Sequence, residues 1–191
     1  MVDGQHKARY ANAMQWPTSV RRLLAGSLDG ERNFIRDAWD LLHNVPGGKL
    51  IFSRLLGRMA PYTGSIGATV TVLRLGHCEA VMPDSRAVRN HLQSVHAIAL
   101  VNLAELAGNV ALAYALPDDG RFIVAGLDIR YLKKARGAIT AIGETPLISS
   151  SAKCEYEVPV TLRNEAGEIV ATATLHTMVG PKKSVPSVAV N

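Results

Sequence analysis

Residues 90–116 read NHLQSVHAIALVNLAELAGNVALAYAL, and this stretch decides the fold. From Val95 to Ala115 it runs apolar for 21 residues with few polar interruptions, and Glu105 is the single carboxylate among them. Burying a carboxylate without partners is costly, so Glu105 carries either a function or a structural pairing with an Arg or a backbone group. Asn102, Glu105 and Asn109 recur at steps of three and four residues, on one face of a helix otherwise built of Ala, Leu, Val and Ile. A helix apolar on nearly all sides is a core helix or a membrane span. The polar residues at its middle argue against lipid. The period-two segments that follow predict a sheet wrapped around it, with no stable membrane insertion.

Upstream, apolar residues fall at helical spacing over Arg32–Leu42 and Lys49–Met59, with Pro46-Gly47-Gly48 as the break between two amphipathic helices. Pro61 is expected to end the second. Ser65–Arg74 and His77–Met82 read as two strands joined at Gly76, and Pro83–Arg89 as a loop. Downstream, Pro117-Asp118-Asp119-Gly120 stops the long helix. Four strand-like runs follow: Arg121–Leu132, Ala138–Thr145, Lys153–Arg163 and Glu168–Val179. Lys133–Gly137 reads as a basic turn and Asn164–Gly167 as a hairpin loop. The expected organisation is an N-terminal helical extension over residues 1–60, whose first 30 residues are either partly disordered or form a short helix around Val20–Leu24, a domain over 61–180, and a frayed tail over 181–191.

A chain of 191 residues with 48% apolar and 19% charged residues is long enough for one packed core and is not compositionally disordered. The net charge of +5 favours anionic partners, but the cations are dispersed and no nucleic-acid module is legible, so nucleic acid is not an expected partner. Cys78 and Cys154 stand 76 residues apart and form no CxxC pair, which suggests neither a zinc site nor a disulfide framework. His91 and His96 would diverge on a helix, and no metal is expected. The opening MVDGQHKARYANAMQW lacks the apolar core of a secretory signal, so a cytoplasmic location is expected.

The order of elements and the residues around the long helix resemble the hotdog-fold acyl-CoA thioesterases. In that superfamily an Asn or Gln in the loop stands six residues before a His that opens the helix, and an Asp or Glu lies nine residues after the His. Asn90, His96 and Glu105 reproduce both spacings. Asp128–Gly137 is similar to the family's central strand and the turn beyond it, and the Asn-Glu-Ala-Gly hairpin is typical. The resemblance spans roughly Ile66–Val179. It implies an α+β hotdog fold, a curved antiparallel sheet around one long central helix, here preceded by N-terminal helices.

The resemblance also implies thioester hydrolysis in a pocket shared by a homodimer or a dimer of dimers, with no cofactor beyond the coenzyme A carried in by the substrate. Glu105 would be the nucleophile or general base, and Asn90 would hold the water or the carbonyl. The backbone N–H of Ala97 would polarise the thioester, because a helix N-terminus presents free donors and a positive dipole end. His96 would cap the helix, hydrogen-bond a strand or orient substrate. Asn102 and Asn109 would line the pocket or a dimer contact. Lys133, Lys134 and Arg136 would meet the phosphates of coenzyme A or simply solvate a turn. Two departures stand out: Ala97-Ile98 replaces the family's glycine pair, and Phe122–Gly126 carries no hydroxyl. A non-catalytic acyl-CoA binding module and a hotdog hydratase or dehydratase are the rival readings.

Overall fold

Residues 97–115 form one unbroken helix that the rest of the molecule is built around. The structure is a computed structural model that describes residues 32–182. The helix expected around Val20–Leu24 and most of the expected tail lie outside the described residues. The elements are α1 (Phe34–Leu42), α2 (Gly48–Met59), α3 (Pro61–Gly64), β1 (Thr69–Arg74), β2 (His77–Met82), α4 (Ala97–Ala115), β3 (Gly120–Tyr131), β4 (Ile139–Glu144), β5 (Cys154–Arg163) and β6 (Ile169–Pro181). Pro61 does not merely end α2, as expected. It opens α3, where a proline is tolerated because a first-turn N–H has no helical partner anyway.

The six strands form one antiparallel sheet in the order β1-β2-β4-β5-β6-β3. Helix α4 touches all six, which one helix achieves only if the sheet curls around it. This is the hotdog arrangement. By length and composition α4 passes as a membrane span, yet most of it is buried inside the molecule.

Close approach of α4 to the sheet depends on small residues. A Cβ at Gly143 of β4 would lie 2.7 Å from the Ala107 carbonyl oxygen, and one at Gly108 would lie 2.8 Å from Leu175. The concave face of β6 supplies Ala171, Ala173, Leu175 and Val179 to the core.

The segment after β3 is not a hairpin turn. β3 is an edge strand while β4 lies in the other half of the sheet, so residues 132–138 cross from one to the other. On the way the Ala135 carbonyl accepts from Val95 N at 2.9 Å, which pins the start of α4.

Helices α1 and α2 share the core through Ile35, Trp39, Leu42, Phe52 and Leu55. Helix α1 also closes the far end of α4, whose last carbonyls lack helical donors. The Asn33 amide donates to the Ala113 and Leu116 carbonyls at 2.7 and 3.0 Å, and the Arg36 guanidinium donates to Leu116 and Tyr114.

Candidate functional site

The loop before α4 is held by Asn90. Its Oδ1 accepts from Leu92 N (2.9 Å), Ser94 N (3.2 Å) and Ser94 Oγ (3.3 Å), and its own N–H donates to the Ser94 carbonyl. This wraps the chain tightly enough to put Gln93 at φ 54°, a left-handed conformation that a side chain resists. At the loop's entry Arg89 grips both oxygens of Asp84 at 2.7 and 2.8 Å, and this holds the Asp84 carboxyl below its ordinary range. The Oδ1 of Asn90 is thus committed to the loop, and only its amide nitrogen has no partner among the described residues.

His96 is the N-cap of α4. Its Nδ1 accepts from Ile98 N at 3.1 Å, while its carbonyl accepts from Ala99 and Leu100 N at 3.0 and 3.2 Å. Of the first-turn donors this leaves the Ala97 N–H alone without a partner among the described residues. Histidine therefore does more than mark the helix start: it occupies the neighbouring donors and isolates one.

Ala97 borders an open cleft of about 360 Å³ lined also by Asn90, Leu100, Tyr131, Lys133 and Lys134, among others. Tyr131, at the end of β3, donates its hydroxyl to the Ala97 carbonyl at 3.3 Å, and burial pushes its phenol pKa up. Nothing in the local sequence flags this contact, because it joins residues 34 apart through the fold. Lys133 is paired with Glu168 at 2.6 Å, and together with Asn164 it holds the Glu168 carboxyl below its ordinary range. Lys134 lines the cleft, whereas Arg136 does not.

Glu105 lies elsewhere on the same helix. Eight residues beyond Ala97, it stands about 12 Å along the axis. It is half-buried, and Asn109 Nδ2 reaches its Oε1 only at 3.5 Å. Ile98, Val101, Glu105 and Asn109 form the stripe of α4 that the sheet leaves partly open. Asn102 lies on the same face, at the edge of this stripe, but is 3% exposed; its amide donates to the Tyr62 carbonyl of α3 at 2.9 Å. The Oδ1 atoms of Asn102 and Asn109 are both buried without a partner among the described residues. Among the described residues no group of three His, Cys, Asp or Glu side chains is placed to hold a metal ion.

Compared with known proteins, the chain matches the family described as a domain of unknown function, DUF4442, over residues 48–179. The chain belongs to the DUF4442 family. The match starts within α2 and ends in β6, so it takes in the whole sheet and α4. No protein of curated function matches. Among solved structures, the structural-genomics protein APC5556 is 32% identical with a TM-score of 0.68, over 78% of this chain and 99% of that one. PA5026 from Pseudomonas aeruginosa, described as a probable thioesterase, is 24% identical with a TM-score of 0.63, over 72% and 97%. The thioesterase HI1161 from Haemophilus influenzae is 17% identical with a TM-score of 0.59, over 67% and 90%. At those identities the last two establish that this DUF4442 domain shares the hotdog fold of thioesterases.

Proposed function

We propose that this DUF4442 protein is a cytoplasmic acyl-CoA thioesterase that works as a homodimer, alone or paired into a dimer of dimers. The observation that carries the reading is the isolated Ala97 N–H beside a cleft that also holds Asn90 and Lys134. A single unpartnered donor at a helix N-terminus suits the oxyanion that forms when a thioester carbonyl is attacked. Alanine at this position keeps the N–H, and the helical backbone here needs no glycine.

Hydrolysis also needs a base or nucleophile within hydrogen-bond reach of the reacting carbon. Glu105 is the carboxylate for that role, but about 12 Å along its own helix from Ala97 it lies too far away to meet the same carbonyl. A second copy resolves this by offering its Glu105 to the Ala97 cleft. The sheet supports such pairing. β3 is a 12-residue strand with one edge unpaired among the described residues, and a long open edge is a template for another strand. Pairing of two β3 edges about a two-fold axis is isologous and closed.

In this mechanism water is deprotonated by Glu105 and attacks the carbonyl, whose negative charge is taken by the Ala97 N–H. The Asn90 amide nitrogen steadies the carbonyl or the water, Asn109 steadies Glu105, and Lys134 meets a phosphate of coenzyme A. Collapse of the adduct breaks the carbon–sulfur bond, the departing thiolate takes up the proton held by Glu105, and free acid and coenzyme A leave. The test is release of free thiol from a panel of acyl-CoAs: the reading predicts turnover of at least one. Saturable acyl-CoA binding without thiol release would replace it with the binding-module reading, and hydration of an enoyl-CoA would replace it with the hydratase reading.

A further inference from the structure

A cavity larger than the Ala97 cleft lies at the opposite end of α4 from it. It is a groove of about 770 Å³ between the start of α1 and the ends of β3 and β6. Ala113 and Leu116 contribute to its wall, and Ala113 stands sixteen residues from Ala97, about 24 Å along the helix. The groove is fixed in place by the Asn33 and Arg36 bonds that dock α1 on the end of α4.

Its lining is divided by chemistry. Phe34, Ile35, Phe122 and Val179 give it an apolar floor, and Ile123 beside them is 69% exposed. Among the described residues four cations also line it, and no acidic residue does. Arg121 spends its Nε on the Pro181 carbonyl, Lys182 donates to the Arg32 carbonyl, and Arg32 pairs with Asp37. Lys153 is exposed. The nearby acids are engaged elsewhere: Asp119 accepts from Ser151 at 2.6 Å and Asp118 pairs with Arg36 at 3.5 Å. A volume in the range of ligand pockets, an apolar floor and charge of one sign select a ligand with an apolar body and an anionic head.

We infer that this groove binds an amphiphilic carboxylate, with its hydrocarbon on the Phe34–Phe122–Val179 floor and its carboxylate on Arg121 and Lys153. Within one chain the groove lies at the other end of α4 from the Ala97 cleft, and the inference does not depend on thioester hydrolysis in that cleft.

Calorimetric titration of the full chain with octanoate, octanol and octylammonium tests it. Octanoate should bind saturably and octylammonium about tenfold or more weaker, with octanol between them, since charge-assisted contacts of this kind are worth about a factor of ten. The Arg121→Glu/Lys153→Glu double variant should weaken octanoate about tenfold. Lys153→Gln, a change at an exposed loop position, should lower affinity measurably in a protein certain to fold. Glu105→Gln and Lys134→Glu should leave octanoate affinity within about twofold, as distant sites act independently. Failure of octanoate to bind at millimolar concentration, equal binding of octylammonium, or loss of binding through Lys134 instead of Lys153 would each overturn the inference.

Discussion

Glu105 and Asn90 sit in different situations, and their variants should fail differently. Glu105→Gln keeps size and removes charge at a half-buried position, so the fold should survive while thiol release falls roughly 100- to 10,000-fold, the usual cost of losing a positioned base. An unchanged rate in a folded variant would make the carboxylate structural. Asn90→Ala removes an oxygen that accepts three hydrogen bonds, so it should lower stability as well as rate. Asn90→Asp keeps that oxygen and loses the free amide nitrogen. It should therefore retain the stability lost in Asn90→Ala and still lose rate, a split readable by thermal melting beside the assay. The two spacings around His96 were legible in the sequence because they run along one loop and one helix. Tyr131 against Ala97 and Lys133 against Glu168 were not, because those partners meet only once the sheet has closed.

His176 offers a separate test on the outer face of the sheet. Its Nε2 lies 2.9 Å from Asp128 and its Nδ1 lies 3.8 Å from Glu157; the Asp128 hydrogen bond is the main cause of a pKa raised above 6.5. A raised folded-state pKa stabilises the fold fully below the unfolded value and loses that contribution as pH rises through the folded value. Histidine NMR titration should place His176 above 6.5, and Asp128→Asn should bring it down. A midpoint unmoved by Asp128→Asn would show that the contact does not persist in solution.

At the scale of elements, the approach of α4 to β4 through Gly143 is an unforgiving contact. The atoms a Cβ would meet there are the Ala107 carbonyl and the Gly108 nitrogen, which are backbone and cannot rotate away. Gly143→Ala should therefore cost about 1–3 kcal/mol, the usual range for overpacking, and lower the thermal midpoint; a neutral melt would show that helix and sheet separate easily. The element types were legible from periodicity, since 3.6-residue spacing and strict alternation rest on backbone geometry alone. His77–Met82 agrees with its expected bounds to the residue. The crossing at residues 132–138 was not legible, because a short basic connection ending near a glycine looks the same whether it turns back on its own strand or spans to another. Nor was α3, a single turn too short to show a period.

At the scale of the whole molecule, the separation of Ala97 from Glu105 along one helix underlies the proposal of a site shared by two copies, and it can be tested by complementation. Ala97→Pro deletes the one proposed donor with little disturbance, because proline suits the first helical position and His96, at φ −64° and ψ 138°, already has the extended backbone that precedes proline. Alone, Ala97→Pro should lose roughly 100- to 1,000-fold in rate, and Glu105→Gln should be comparably impaired. When the two are unfolded together, refolded and assayed for coenzyme A release, half of the dimers formed at random carry one copy of each. In those dimers the intact Ala97 of one chain meets the intact Glu105 of the other, so about a quarter of the parental activity should return. If the mixture stays as inactive as its components while forming dimers, each site is contained within one chain and the shared-site account is wrong.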